Sequence, residues 1–410
     1  MSCFIRTKQS SNKGIIMTTT KLILTLGVVF ALAQGLSSAE SGAKPLKIFI
    51  LAGQSNMQGK AQVRTVERLN LTEDSKQMYQ DLKMKDGAPA AVEDMYGVYF
   101  TAGDMTKGKE RSLSVQNGPF RPGYGSEVTP NTTFGPDHTF GLYLRKQVQG
   151  PVLIIKTAWG GRNLLQQFRP PSAGPFEREK DGHGNPTGYY YGQIIKHVKS
   201  VLADPGQYHP GYDKAAGYEI AGFVWFQGFN DLIDSYYEQN MVPGKMMFSQ
   251  YSDILTAFIR DLRKDLGAPQ MPFVIGAVGF GGPIEDKKDK QYLFRLAQLA
   301  PADLPEFKGN VAAIRAEHCW DMEWKRISDK ATEAAQQKLL AANPGLKPRA
   351  LQGAIQKEIK TIAPGVLTPD ELKIFQLGTS NEGFHYLGSA YIYGNVGKLM
   401  AEAMVKLMGK

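Results

Sequence analysis

The chain has 410 residues, 42% of them hydrophobic and 21% charged, with a formal net charge of +9. That length suffices for one large domain or two ordinary ones, and the balance excludes a disordered chain and a polytopic membrane protein. The positive excess is diffuse: no run of five Lys or Arg and no basic-aromatic motif occurs, so no nucleic-acid partner is expected.

Residues 1–39 read as a secretion signal, which predicts a secreted or periplasmic protein. Arg6, Lys8, Lys13 and Lys21 are cationic, and no acid precedes Glu40. The apolar run Leu22–Ala33 is twelve residues long, short of the roughly 20 that span a bilayer, so no stable membrane insertion is expected. Ser37-Ser38-Ala39 places cleavage before Glu40, and a start at Met17 would leave a compact basic segment ending at Lys21. Cleavage removes four cations and takes the net charge from +9 to +5. It also removes Cys3, leaving Cys319 with no partner for an internal disulfide. Cys319 has no CxxC neighbour and reads as a buried structural thiol.

Short apolar runs then alternate with amphipathic segments. Strands are expected at Leu46–Ala52, Val152–Thr157, Gly222–Phe226, Phe273–Val278 and Val311–Arg315, each apolar on consecutive positions as in a parallel sheet covered on both faces. Helices are expected at Thr139–Gln149, Tyr190–Leu202, Met246–Leu266 and Ser389–Met408, the last two with apolar stripes at helical spacing. Thr65–Asn131, polar and Gly-rich, reads as loops over the sheet edge. Met322–Lys373 reads as two or more inserted helices. The alternation predicts an α/β fold, a three-layer α/β/α sandwich on a mostly parallel sheet. The preferred partition is one domain over 40–410 with a helical insertion at about 322–373.

Chemistry gathers at the strand ends, where such sheets place ligands. The first strand runs into Gly53-Gln54-Ser55-Asn56, which makes Ser55 either a nucleophile or a helix cap. The sequence is not G-x-S-x-G, which disfavours the nucleophile elbow of α/β-hydrolases. A nucleophilic serine needs a base oriented by a third group. Among His138, His183, His197, His209, His318 and His385, His183 and His209 sit in Gly/Pro-rich loops and His197 inside a helix, whereas His385 stands just before the last helix with Glu382 three residues upstream, a spacing that favours it. Gly160-Gly161 after the second strand, and Gln227 after the third, can supply donors to a developing oxyanion.

In order along the chain, LAGQSNMQG, GPDHTFG, IKTAWGGRNL, VWFQGFND and NEGFHYLGSA resemble the SGNH (GDSL-type) hydrolases, in the branch of sialate O-acetylesterase-like proteins and carbohydrate esterase family 6. The resemblance spans Lys47 to the C-terminus. It implies a flavodoxin-like sandwich and a serine esterase that removes acetyl groups from an acetylated oligo- or polysaccharide through an acyl-enzyme, with no cofactor and no metal. It matches Ser55 to the nucleophile, His385 to the base and Glu382 to the orienting acid, in a place where the family usually has Asp. The oxyanion donors are the N–H groups of Ser55 and Gly161, with Gly160 as the alternative, and the Gln227 amide. Substrate contacts are expected from Gln54, Asn56, Trp159, Arg162 and Asp231, and Asp137 reads as support behind the site. Phe229 stands where the third block usually carries Glu, which touches substrate choice. Trp159, Trp225, Phe229 and Tyr189–Tyr191 can stack on sugars, although core packing is the commoner role of such residues.

Two other readings stay open: a secreted lipase or other deacylase of the same class, and a carbohydrate-binding protein that has lost activity. No His/Asp cluster has metal-ligand spacing, which disfavours a metal-dependent deacetylase.

Overall fold

The computed structural model describes residues 43–100, 105–106, 109–110, 113–125 and 132–409. The expected leader and the alternative start at Met17 lie outside them. Seven strands form the main sheet: β1 (Leu46–Gly53), β2 (Met95–Phe100), β3 (Val115–Pro119), β4 (Val152–Ala158), β5 (Tyr218–Phe226), β6 (Phe273–Ala277) and β7 (Val311–Arg315). Their order is β7-β6-β5-β1-β4-β2-β3, parallel throughout except that β3 runs antiparallel to β2.

The two strands at the β3 edge come from the segment expected to be loops over that edge. Met95–Phe100 is broken by Gly97, and Val115–Pro119 holds a glycine and ends on proline. Neither presents the unbroken apolar run of a central parallel strand. Gly97 has a packing reason, since a Cβ there would lie 2.7 Å from the Phe120 ring.

Helices cover both faces. Phe49 of β1 meets Phe140 of the helix Pro136–Arg145, and Met404 of the helix Ala390–Leu407 lies against Gly222 of β5, so these two helices share one face. On the other, Phe223 and Trp225 meet Phe258 of the helix Ser249–Asp265, and Phe258 meets Tyr191 of Tyr189–Ala203. The result is the α/β sandwich the alternation predicts. Cys319 is buried, and burial pushes its thiol up to about 12, as fits an inert packing residue.

The segment after β7 forms three helices, Met322–Ala342, Pro348–Val366 and Pro369–Leu377. They pack around a small apolar cluster of their own that includes Ile327, Ala331, Ile355, Ile359 and Ile374. Among the described residues no helix is long and apolar enough to cross a membrane.

Candidate active site

Register brings the strand ends together. Gly53, the last residue of β1, pairs with Ala158 at the end of β4 and with Phe226 at the end of β5. The next residues of all three strands must therefore emerge side by side at the carboxyl edge of the sheet. They are Gln54-Ser55, Trp159-Gly160-Gly161 and Gln227.

At Gly53 the chain passes so close to its neighbour that a Cβ would sit 2.1 Å from the Phe226 carbonyl oxygen. Only glycine fits, and the chain turns at once into the helical turn Ser55–Gln58. Ser55 opens that turn, so its N–H has no intrahelical acceptor, and it meets no other acceptor among the described residues. The N–H groups of Gly160 and Gly161 are likewise unspent. Gly160 lies against Ser55: a Cβ there would be 3.6 Å from Ser55 Cβ. Gly161 has φ of 74° and open space beside it.

Two buried polar groups fix this turn from beneath. Lys156 Nζ of β4 donates to the Gln58 carbonyl at 3.0 Å and to the Tyr124 carbonyl, and it is ion-paired with Asp137 at 2.9 Å. Asp137 thus lies behind the turn, paired with the lysine that holds it. Gln58 donates to the Tyr99 hydroxyl at 2.9 Å.

The sixth histidine of the sequence comes in from 330 residues away: His385 Nε2 lies 3.1 Å from Ser55 Oγ. The other ring nitrogen, Nδ1, is 3.0 Å from Asn381 Oδ1. The Glu382 N–H donates to the same Oδ1 at 2.8 Å, which identifies that atom as the amide oxygen. An amide oxygen only accepts, so Nδ1 carries the imidazole proton and Nε2 offers its lone pair to the serine hydroxyl. Burial, with a smaller contribution from the charge of Lys60, lowers His385 to about 4, so the ring is neutral at ordinary pH.

Several expected site residues sit elsewhere. Glu382 does not reach the imidazole. Its side chain is exposed, and its carbonyl accepts from the N–H groups of His385 at 2.9 Å and Leu387 at 3.1 Å. The three-residue spacing assumed a helical turn. The backbone instead takes φ of 51° at Tyr386 and 59° at Leu387, which places Asn381, four residues back, beneath Nδ1.

Nor does Gln227 offer a donor to the space beside Ser55. Its Nε2 lies 2.6 Å from Asp231 Oδ2 and 3.0 Å from the Arg162 carbonyl, which occupies both hydrogens, and its Oε1 accepts from the Tyr251 hydroxyl at 3.1 Å. Asp231 is fully buried and accepts from the N–H groups of Leu164 and Leu165 and from Tyr237. It ties down the loop after Gly161 rather than facing substrate, and burial raises it to about 6. Gln54 accepts from Gly228 N and donates to Asn230; Asn56 donates to the Phe384 carbonyl and accepts from Tyr393. Both are buried braces. Trp159 is buried against Phe168, Tyr190 and His197, and Arg162 lies 5.0 Å over the Tyr190 ring with Nη1 3.2 Å from His183 Nε2.

Sequence reasoning missed Asn381, which stands beside the favoured Glu382, and Tyr393, whose hydroxyl lies 2.7 Å from Asn56 Oδ1 and 3.1 Å from the His385 carbonyl. It also missed the rim. Phe384, 40% exposed, stacks on Phe229 at 5.1 Å and lies 4.4 Å from the His385 ring. Among the described residues no cluster of His, Cys, Asp or Glu is arranged to hold a metal ion.

A family model described as "Carbohydrate esterase, sialic acid-specific acetylesterase" matches residues 45–323. The chain belongs to this family. It is a carbohydrate O-acetylesterase by that membership, and the matched residues include Ser55, Gly160, Gly161 and Gln227. His385 lies beyond the match. No curated protein matches the chain. Among solved structures, a protein from Arabidopsis thaliana is 19% identical, with 66% of this chain and 86% of that one covered and a TM-score of 0.38. A carbohydrate acetylesterase from Xanthomonas citri is 15% identical over 65% of this chain and 49% of that one, with a TM-score of 0.39. A peptidoglycan O-acetylesterase is 9% identical over 79% and 92%, with a TM-score of 0.27.

Proposed function

We propose that this family member is a serine esterase that removes acetyl groups from sugar hydroxyls through an acetyl-enzyme on Ser55. The observation that carries the reading is the 3.1 Å contact between Ser55 Oγ and His385 Nε2, with the imidazole tautomer set by Asn381. His385 Nε2 takes the hydroxyl proton as Oγ bonds to the ester carbonyl carbon. The carbonyl oxygen becomes an oxyanion, for which the N–H groups of Ser55, Gly160 and Gly161, with no acceptor of their own among the described residues, are the available donors. The intermediate collapses, the C–O bond to the sugar breaks, and the imidazolium returns its proton to the sugar oxygen. Water then repeats the cycle on the acetyl ester, releasing acetate and restoring Ser55.

Two features support a carbohydrate as the alcohol. Family membership is one. The other is the exposed Phe384 ring stacked on Phe229 beside the base, a platform suited to the apolar face of a pyranose. Sialates and xylan are the acetylated carbohydrates to try first. Ser55→Ala is expected to abolish release of 4-nitrophenol from its acetate ester and of acetate from acetylated glycans. Wild-type turnover by that variant would remove Ser55 from the chemistry.

A further inference from the structure

Beside the catalytic loop lies a groove of about 1010 Å³ whose lining, Arg64 apart, lies beyond the family match, which stops at residue 323. Its floor is Thr379–Gly383, the strand of loop that carries Asn381 and leads into His385. One wall is a single face of the helix Pro348–Val366, presenting Arg349, Gln352, Gln356 and Lys360 at spacings of three and four. The other is a face of the helix Met322–Ala342, presenting Trp324, Ser328 and Thr332.

The lining is mixed in a particular way. Trp324 and Phe375 form a parallel pair, 1° apart in plane and 6.3 Å between centroids, and both are part-exposed in the groove. Glutamine amides and Ser and Thr hydroxyls stand around them. Of the charged groups that line the groove, three are cations, Arg64, Arg349 and Lys360, and one is an acid, Glu382. Arg64 donates only to the uncharged Gln62 Oε1 and to the carbonyls of Gln376 and Thr379. Arg349 and Lys360 are exposed, and neither is ion-paired with an acid among the described residues. The nearby acids Glu323 and Glu371 are taken by Arg326 and Lys330.

Flat rings, amides and hydroxyls, and uncompensated positive charge together match an oligosaccharide that bears carboxylates. We infer that the groove between the inserted helices and the His385 loop is a subsite for a carboxylate-bearing glycan chain, which holds residues beyond the acetylated one reacting at Ser55. This rests on the acetylesterase reading for the reacting residue alone; the groove's preference for anionic sugars stands on its own lining.

The test uses the full chain and an unacetylated oligogalacturonate of about six residues, in the size range of a 1010 Å³ groove. Calorimetry at low salt is expected to show binding that weakens as salt rises, with neutral xylohexaose bound at least about tenfold more weakly. The double substitution Arg349→Ala and Lys360→Ala is expected to weaken the anionic probe about five- to tenfold, the effect of two exposed charge contacts. The same substitution should raise KM for acetylated polygalacturonate with kcat unchanged, and leave 4-nitrophenyl acetate turnover unchanged. If the alanine pair lowers the melting temperature, Arg349→Gln with Lys360→Gln replaces it. Equal binding of the neutral and anionic probes, or undiminished binding by the double variant, would overturn the inference; so would equally tight capture of a single-stranded oligonucleotide. Because the probe carries no ester, a protein that binds it but cleaves no acetate refutes the esterase reading and not the groove.

Discussion

From Gln54 to Gln58 every side chain is buried, whereas from Asn381 to Phe384 every residue is exposed. The first stretch holds Ser55 and the second leads directly into His385, and these two residues share one hydrogen bond. On the serine side, position is dictated by sheet register: three parallel strand ends are level, and the turn is pinned by Lys156 and Gln58 from below. On the histidine side, position is dictated by a loop bent through left-handed backbone at Tyr386 and Leu387, a conformation that costs about 1–3 kcal/mol for each such residue. The bend is held by the buried Tyr386 ring, packed against Phe226, Phe280 and Tyr393, with its hydroxyl accepting from Gly279 N–H at 2.9 Å. Ser55, the proposed nucleophile, is thus set by the core, and His385, the proposed base, by one anchored aromatic and one amide. Damage on the serine side should therefore appear as lost stability, and damage on the histidine side as altered chemistry in a stable protein.

The strongest test of that division is Asp137→Asn. It leaves the Lys156 ammonium buried without its counter-charge, and breaking a buried pair in this way costs about 3–5 kcal/mol. The melting temperature should fall, and activity should fall with the folded fraction. The effect of pH has a definite sign. Burial lowers the lysine, so between its depressed value and its ordinary 10.5 the unfolded chain binds the proton that the native chain does not. Stability lost to the substitution should then return as pH rises through that window. An unchanged melting temperature would show that the ion pair does not hold the turn.

The counterpart on the histidine side is Asn381. Asn381→Ala is expected to lower kcat about tenfold, the worth of one neutral hydrogen bond, with KM and melting temperature unchanged. The pH profile sharpens this. With His385 at about 4, kcat/KM for the native protein should rise through about pH 4 and be flat by neutrality, because only the neutral ring accepts the serine proton. Asn381→Asp puts a carboxylate against Nδ1, which favours the charged ring and should move that limb up by about one to two units. A limb that stays at 4 in this variant would mean that Asn381 does not govern the ring.

The same division explains what could be read in the sequence. Val152–Ala158 and Val311–Arg315 are apolar on nearly every position because helices cover both faces, and such runs announce themselves. Ser55, Gly160 and Gly161 were legible because parallel strand ends are where the fold must place polar turns. Lys156 was hidden inside a strand that otherwise reads as core. The edge strands were hidden too, since Gly97 and Pro119 serve packing and edge termination rather than pattern. Gln227 and Asp231 carried the right residue types for a site, yet each is consumed by the other and by the loop after Gly161, a pairing that only three-dimensional placement decides. On the histidine side the spacing from Glu382 to His385 was informative only for a helix, and the positive φ values at a tyrosine and a leucine have no signal in residue type.

Glu382 gives the smallest expected effect and the cleanest separation of the two halves. If a carboxylate had to orient His385, Glu382→Gln would cost orders of magnitude in kcat, as the loss of a triad acid does. The loop contributes Glu382 through its backbone instead: its carbonyl receives two N–H groups, and its own N–H goes to Asn381. Glutamine keeps all three bonds. Kinetics on 4-nitrophenyl acetate should therefore change by less than about threefold, in the range of ordinary surface substitutions. On an acidic polymer the side chain faces a groove that is otherwise cationic, so the same change removes a repulsion and should lower KM slightly. A large fall in kcat on the small ester would mean that the carboxylate swings onto the imidazole during turnover, and the contrast between a core-set nucleophile and an amide-set base would fail at its second half.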